Sequence, residues 1–202
     1  MSERRGRRRA VTPGDILEVA KRHAVAHGWR ASRVQAIAAE VGVSRPTLYS
    51  AFPSKQDLGI AIIRDVNTTL LDALALSIRD ARTTEEGLRR GILFALTEAD
   101  RNPLVAMILR EDGGEGTLTA AASVGQDTII PMAVRVAADL LAAGHPEATP
   151  ERLGLAADTA VRMTFSHVLV PGDSSHEDLA DRLAALCIGI LETPEEGLRA
   201  AR

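Results

Sequence analysis

The amino-acid sequence predicts an all-α protein of about nine helices, in which one long helix joins a small basic N-terminal head to a larger acidic part. Apolar residues recur at spacings of three and four along most of the chain, as they do on one face of an α-helix. The alternation and Asn-Gly turns typical of strands are missing. Alanine, leucine and arginine dominate, and aromatic residues make up only 2%. The core is therefore expected to be aliphatic and helical.

The N-terminus combines a charged arm with a first helix. Residues 1–10 hold five arginines and no residue suited to a core, which predicts a disordered basic arm. Such an arm is either a solvated tail or a contact to nucleic-acid phosphates or a minor groove. The first helix begins with Thr12 as cap and Pro13 at its first position, and it runs to about His27. His23 and His27 lie on one face, but no third metal ligand is in view, so surface positions are expected.

A helical hairpin follows between residues 34 and 52. Its first helix has a buried face made of Val34, Ile37, Ala38 and Val41. Gly42 comes next, where a helix ends most cheaply in the left-handed conformation that glycine adopts. Ser32 is expected to cap the first helix and Ser44 the second. The first turn of the second helix tolerates Pro46, because the missing N–H has no partner there.

The second helix of the hairpin has an inward and an outward face. The residues expected to pack back on the first helix are Val43, Leu48 and Phe52, and the outward ones are Arg45, Thr47, Tyr49 and Ser50. Two helices hinged at glycine form a helix-turn-helix pattern, whose second helix enters the major groove of DNA. Ser54 then opens a further helix whose first amides, with Lys55, suit a phosphate. The predicted DNA-binding residues are Arg33, Ser44, Arg45, Pro46, Thr47, Tyr49, Ser54 and Lys55.

Residues 41–58 read VGVSRPTLYSAFPSKQDL, which resembles the DNA-binding motif of the TetR family of bacterial transcriptional regulators. The resemblance is strong over about residues 13–65. It implies a ligand cavity between the central helices that shifts the two heads when it is filled. The family usually has an aromatic residue near Ala24 and a leucine near His23. The departure here predicts a smaller core, with Trp29 as the residue that fills it.

Further helices are predicted at about residues 54–81, 83–100, 103–110, 118–143, 150–170 and 175–191. The first is too long to serve the head alone and is expected to carry movement between the two parts. Residues 118–143 form one helix or two, bent at Pro131 where a backbone hydrogen bond is lost. The glycine-rich loop at 111–117 lacks the flanking strand and Lys-Ser/Thr pair of a nucleotide site. The expected domains are an arm (1–10), a DNA-binding head (11–57) and a regulatory part (58–202).

Charge divides the chain in the same way. Residues 1–65 contain 12 Lys and Arg against 6 Asp and Glu, a balance of +6, whereas the remainder has 12 against 21, a balance of −9. The basic part suits a polyanion, although charge also varies between segments without function. The single cysteine, Cys187, excludes an internal disulfide and fits a reducing compartment. With no signal peptide and no apolar run of membrane-spanning length, the chain is expected in the cytoplasm.

The acidic part supports two further predictions. The last two helices carry stripes of small and apolar residues, which form either the protomer's core or a two-fold interface. The interface is preferred because a helix-turn-helix gains affinity from two copies. The predicted dimer residues are Gly154, Ala157, Val161, Ala180, Leu183, Ala184, Cys187 and Leu191. The predicted effector residues are Phe94, Glu98, Met107, Met132, Arg162, Met163, Phe165 and His167. Scarce aromatics disfavour planar cationic drugs and favour a small, partly aliphatic effector.

Together these features predict a homodimeric, ligand-responsive DNA-binding repressor that needs no cofactor or metal. Arg45 is expected to read a base edge, beside apolar or phosphate contacts from Pro46 and Thr47. Tyr49 and Lys55 are expected to hold the DNA backbone. An enzyme is not predicted, because no triad, metal cluster or phosphate loop emerges from five histidines and one cysteine. The alternative is a helical partner-binding protein without a DNA role.

Overall fold

The structure is a computed structural model that describes residues 10–110 and 129–193. Within these ranges the chain forms nine α-helices and no strand, which confirms the all-α prediction. The helices are α1 (Pro13–His27), α2 (Val34–Val41), α3 (Arg45–Ala51), α4 (Lys55–Ile78), α5 (Thr84–Arg101), α6 (Pro103–Arg110), α7 (Ile129–Gly144), α8 (Pro150–Leu169) and α9 (His176–Glu192). In the described part of the chain, no helix combines the length and apolarity that crossing a membrane requires.

Three of the predicted segments lie outside the described residues. They are the basic arm apart from residue 10, the loop at 111–117, and the first part of the helix predicted at 118–143. Pro131 lies in the first turn of α7.

Of the two predicted N-caps in this region, Thr12 caps α1, but Ser32 does not cap α2. Thr12 accepts the Asp15 amide at 3.2 Å, and the Asp15 carboxylate accepts the Thr12 amide at 2.7 Å, so α1 begins with the expected cap. The predicted Ser32 cap is wrong. Helix α2 begins after Arg33, and the buried Ser32 hydroxyl instead donates to the Gly28 carbonyl at 2.8 Å. That bond satisfies a carbonyl in the loop between α1 and α2.

The head helices α1, α2 and α3 pack around an aliphatic core that extends beyond them. The core includes Leu58, Ile62 and Val66 from the first half of α4, and Leu104 and Val105 from α6. Apolar packing of the head therefore continues past residue 57, and the domain boundary placed there stays a prediction.

Trp29 is a central residue of the head core and is only 2% exposed. It belongs to the same buried cluster as Ala24 of α1. Its ring lies against Gly59 of α4, where an added Cβ would stand 3.1 Å from the ring carbon Cζ2. The expectation that Trp29 fills the core is confirmed, and Gly59 provides the space for its ring.

The acidic part has a second core, formed mainly by α5, α7, α8 and α9. Small buried residues let these helix axes approach closely. They are Ala156, Ala157, Ala160, Ala180 and Ala184. Helix α4 runs between the two cores over 24 residues, a length of about 36 Å. Its first half lies in the head core, and α4 also packs on α5 and α7.

Candidate DNA-recognition surface and internal cavity

Glycine and backbone hydrogen bonds hold the turn between α2 and α3. Gly42 ends α2 with φ of 82° and ψ of 31°, in the left-handed region. The amides of Gly42 and Val43 both donate to the Ala38 carbonyl at 3.0 Å. Ser44 then caps α3 by accepting the Thr47 amide at 3.2 Å. These bonds set the direction in which α3 leaves α2, and they produce the expected helix-turn-helix arrangement.

Helix α3 presents a polar outer face and an apolar inner face. Leu48 and the following Phe52 are buried in the head core, as expected. The exposed residues are Arg45, Pro46, Thr47, Ser50 and Ala51. Tyr49, expected on the outer face, is half-buried and packs against the head core. Its ring is large enough to cover apolar surface while its hydroxyl remains available for polar contacts.

Tyr49 also orders Arg45, which lies one helical turn before it. The guanidinium carbon of Arg45 is 5.3 Å from the Tyr49 ring centroid, and its Nη2 donates to the Tyr49 hydroxyl at 3.4 Å. A stacked guanidinium has already lost part of its freedom, so less is lost when it binds a ligand. Arginine has five N–H donors, and this single bond leaves others for a base edge or a phosphate.

The start of α4 lies beside the hairpin and carries a fixed cation. Lys55 Nζ donates to the Arg30 carbonyl at 3.0 Å and lies 5.1 Å from the Trp29 ring centroid. The ammonium has three donors, so it can also contact a phosphate. Ser54 accepts the Asp57 amide at 3.0 Å and donates to the Asp57 carboxylate at 2.7 Å. The Ser54 hydroxyl is therefore already engaged in capping.

An ion pair from Arg22 and a hydrogen bond from His23 tie the C-terminal end of α2 to α1, and the N-terminal end of α2 has no side-chain cap. Arg22 Nη2 and His23 Nε2 lie 2.6 and 2.8 Å from the two carboxylate oxygens of Glu40. Hydrogen bonding to Arg22, and then to His23, holds the pKa of Glu40 below its usual value. Arg33, exposed, precedes α2 without a side-chain cap, so the first amides of this helix suit a phosphate.

His23 and His27 contact each other edge to face, with ring centroids 5.7 Å apart. Over residues 10–110 and 129–193, no group of three or more His, Cys, Asp or Glu side chains is placed to hold a metal ion. The His23 ring is instead hydrogen-bonded to Glu40.

An internal cavity lies among α4, α5, α6, α7 and α8. It has two adjoining chambers with empty volumes of about 520 and 700 Å³, counting the parts open to solvent. Both chambers are bordered by Leu74, Ala95, Ala133, Thr164 and Phe165. The larger, here called the head-side chamber, is also bordered by Val66, Leu70, Val105 and Ile108, which pack in or against the head core. The smaller, here called the apolar chamber, extends to Ile78 and Leu140.

Three of the predicted effector residues border this cavity: Phe94, Glu98 and Phe165. Sequence reasoning missed Asn67 and Thr164, two buried polar residues in its wall. The available signal was position, because Asn67 comes four residues after Ile63 on the apolar stripe of α4. A polar residue on such a stripe faces either the core or a cavity within it.

The other predicted effector residues lie elsewhere. Met107 packs against the head core, and Met132 is half-buried in α7 without bordering either chamber. On α8, Arg162 is exposed and pairs with Asp158 at 2.8 Å. Two more α8 residues, Met163 and His167, do not border the chambers either. Instead, His167 Nδ1 lies 2.8 Å from the Met163 carbonyl oxygen. The rotation of α8 turns Thr164 and Phe165 toward the cavity, and Arg162 and Met163 toward the surface.

Most of the predicted dimer residues lie inside the protomer. Those buried in the second core are Ala157, Ala180, Leu183, Ala184, Cys187 and Leu191. Gly154 and Val161 are half-buried, and Val161 borders the apolar chamber. These residues pack α8 against α9 within one protomer. For the six buried side chains, the alternative of a protomer core therefore holds, and the predicted interface does not. Burial also raises the pKa of the Cys187 thiol to about 11.

Two family descriptions match the chain. The model of bacterial regulatory proteins of the TetR family matches residues 16–62, and that of the bacterial tetracycline repressor C-terminal domain matches residues 83–188. A curated relative, the nucleoid occlusion factor SlmA of Salmonella paratyphi B, is 36% identical over 73 residues. These residues span 36% of this chain and 37% of the relative, little more than a third of either protein.

Solved structures share the fold at low sequence identity. FadR from Bacillus subtilis, in complex with stearoyl-CoA, has a TM-score of 0.63 and 18% identity, covering 90% of this chain and 100% of that chain. RolR, in complex with resorcinol, has a TM-score of 0.64 and 16% identity, covering 93% and 90%. AlkX from Dietzia sp., described as implicated in biodegradation of n-alkanes, has a TM-score of 0.62 and 22% identity, covering 89% and 95%. From the family matches and the shared fold, the chain belongs to the TetR family of bacterial regulatory proteins.

Proposed function

We propose that the chain is a homodimeric repressor that binds operator DNA through α3 and releases it when a small molecule fills the cavity. Family membership supports the regulatory role, and the similar structures solved with stearoyl-CoA and resorcinol support a small-molecule effector. The observation that carries the proposal is that the head core and the cavity share side chains. The protein acts in the cytoplasm, where bacterial DNA lies, and works by binding rather than by catalysis.

In the proposed complex, α3 lies in the major groove. Arg45 reads a base edge, most often guanine for arginine, and Tyr49 positions its guanidinium. Exposed Pro46 and Thr47 supply apolar or phosphate contacts beside it. Lys55, held at the start of α4, contacts the DNA backbone on one side of the groove.

The remaining backbone contacts come from helix starts. Arg33 stands at the uncapped start of α2, where both its side chain and the first amides suit a phosphate. Ser44 and Ser54 cap α3 and α4, so their main contribution is to orient the amides of those helices. Such contacts position the head on DNA without reading its sequence.

Two copies pair through the exposed faces of α8 and α9. Leu155 and Met163, two turns apart on α8, are 47% and 38% exposed, and Leu186 on α9 is 53% exposed. Gly189 follows Leu186 by about one turn, and a Cβ built there meets nothing within 4 Å, so a partner helix can approach closely. An operator with two half-sites needs two heads about 34 Å apart, which a single copy does not provide.

Coupling between ligand and DNA follows from shared side chains. Val66 and Val105 are buried in the head core and also border the head-side chamber. Leu70 and Ile108 pack against the same core and border the same chamber. A ligand in this chamber therefore contacts residues that also pack in or against the head core. If the ligand binds more tightly to one head position, it shifts the dimer toward that position. It then changes the affinity for DNA by the same factor by which DNA changes the affinity for the ligand.

The test begins with selection of bound duplexes from a random pool by the purified full chain. Arg45→Ala is then expected to weaken binding to the selected operator by about 1–3 kcal/mol and to relax the preference at one base position. Arg79→Ala is the matched control, because it removes the same charge from the exposed far end of α4, about 36 Å from Lys55. The control is expected to retain affinity and sequence preference.

Two outcomes of that test would contradict the DNA role. If Arg45→Ala keeps the full sequence preference, Arg45 does not read a base. If the wild-type chain retains no duplex at low salt, the proposal fails and a partner-binding protein without a DNA role replaces it.

The dimer is tested separately by sedimentation. Leu186→Asp is expected to convert a dimer to a monomer, because it places a charge in the proposed contact. Leu76→Asp makes the same change at an exposed position on α4 and should leave the dimer intact. A wild-type chain that sediments only as a monomer at micromolar concentration would refute the dimer, and a dimeric Leu186→Asp would refute this interface.

A further inference from the structure

Two polar side chains border the head-side chamber. Asn67 is only 5% exposed and borders this chamber together with half-buried Glu98. Thr164, which also borders this chamber, donates its hydroxyl to the Ala160 carbonyl at 2.7 Å. The Asn67 amide can donate and accept hydrogen bonds, and the Glu98 carboxylate can accept them, so this end of the cavity can receive a polar group from a ligand.

The apolar chamber has a different character. The side chains found only in this chamber are aliphatic, and α5 contributes Gly87 and Gly91 one turn apart. A Cβ at Gly91 would stand 3.3 Å from Leu74, and one at Gly87 3.0 Å from Leu140, so larger residues would take up this space. From Asn67 to Ile78, which border opposite chambers, α4 rises about 16 Å. An elongated, flexible apolar group fits this path.

Charge limits the kind of polar group that fits beside Asn67. The Glu98 carboxylate would repel an anionic head group placed beside it. Glu98 and the carbonyl oxygen of Asn67 both accept hydrogen bonds.

We infer that the ligand of this cavity is an amphiphile with an alkyl tail in the apolar chamber and a hydrogen-bond-donating head group, an amine or a hydroxyl, on Asn67 and Glu98. A carboxylate or phosphate head group is disfavoured. The inference rests on the proposed function in treating this molecule as the effector, but its binding is measurable without DNA.

Calorimetric titration of the purified full chain with three probes of equal tail length tests the head group. Decylamine and decanol are expected to bind, and decanoate is expected to bind at least about tenfold more weakly than decylamine. The comparison of amine with alcohol shows whether charge adds to hydrogen bonding. Decanoate binding as tightly as decylamine, or no binding of either donor probe, would overturn the inference.

Glu98→Gln tests the contact itself. This substitution keeps the shape of the side chain. It is expected to weaken the binding of decylamine by about tenfold and to change the binding of decanol by less than about twofold. Asp139→Asn is the control, because it removes the same charge from an exposed position on α7. If both Glu98→Gln and Asp139→Asn lose the same decylamine affinity, or if Glu98→Gln loses none, Glu98 does not contact the head group. Asn67→Leu is expected to weaken both donor probes.

Val136→Phe tests the tail, because Val136 borders only the apolar chamber. The larger ring is expected to reduce the preference for decylamine over hexylamine. An unchanged preference would place the tail elsewhere and overturn the inference.

The two proposals fail in different ways. Operator binding without binding of either donor probe would refute this inference and leave the repressor. Binding of the amine without any operator binding would refute the repressor and leave the ligand site.

Discussion

Replacing Gly42 by alanine isolates the conformational cost of the turn between α2 and α3. Its φ of 82° lies in the left-handed region, and an added Cβ would meet no heavy atom within 4 Å. That region costs a residue with a Cβ about 1–2 kcal/mol. Alanine also reduces the conformational freedom of the unfolded chain, which offsets about 0.4–1 kcal/mol of that cost. The free energy of unfolding of the head should therefore fall by about 1 kcal/mol. Gly42→Asn should lose less, because asparagine adopts this region more readily.

Gly28 provides a comparison with a different expected pattern. Its φ of 75° and ψ of 150° lie close to a region that is essentially restricted to glycine, and a Cβ built there also meets nothing within 4 Å. Gly28→Ala and Gly28→Asn should therefore both cost about 1–3 kcal/mol. Gly14→Ala is the control, because its Cβ would make an ordinary contact of 3.6 Å inside α1. It should leave stability unchanged or raise it by up to about 1 kcal/mol.

Urea unfolding followed by tryptophan fluorescence measures these effects. Trp29 is the single tryptophan of the chain and is buried in the head core, so its emission reports the head. A neutral Gly42→Ala, or a Gly42→Asn as costly as Gly42→Ala, would refute the reasoning from backbone conformation. A Gly28→Asn variant clearly more stable than Gly28→Ala would also refute it.

Two further predictions follow from buried and paired groups. The lowered pKa of Glu40 means that its stabilisation is present above its ordinary value of 4.5 and is lost as pH falls through the lower folded value. The wild-type head should therefore lose stability more steeply than Glu40→Gln below about pH 4.5, measured by Trp29 fluorescence in urea, and identical profiles would exclude this role. Cys187, buried and with a pKa of about 11, should react with thiol reagents only on unfolding, so rapid labelling of the native chain would show that it is accessible.

The helix-turn-helix was predictable because its determinants are local. Gly42 ends one helix, Ser44 caps the next, and Pro46 fits its first turn, all within a few residues of one another. The limits of the later helices were close for the same reason, since Thr83 and Ser175 cap α5 and α9. The Ser32 cap failed because its hydroxyl had a nearer partner in the preceding loop, which a one-dimensional pattern does not reveal.

The dimer and effector residues were harder to assign because several stripes on one helix are apolar. On α8, Ala157 lies in the core, whereas Leu155 is exposed. Phe165 borders the cavity, whereas Met163 and Arg162 face outward. Residues two apart on a helix point about 200° apart, so one apolar stripe faces the core while the other faces outward, and the sequence pattern alone does not show which.

Sequence patterns alone were sufficient for the helices of the described residues, the outward position of Arg45 on α3 and the glycine hinge, because caps, chirality and periodicity operate over about four residues. The choice of which apolar stripe is buried, and the meeting of Asn67, Glu98 and Phe165 around one cavity, came from the packed fold. These residues are distant along the chain, and their proximity depends on how α4, α5 and α8 pack against one another.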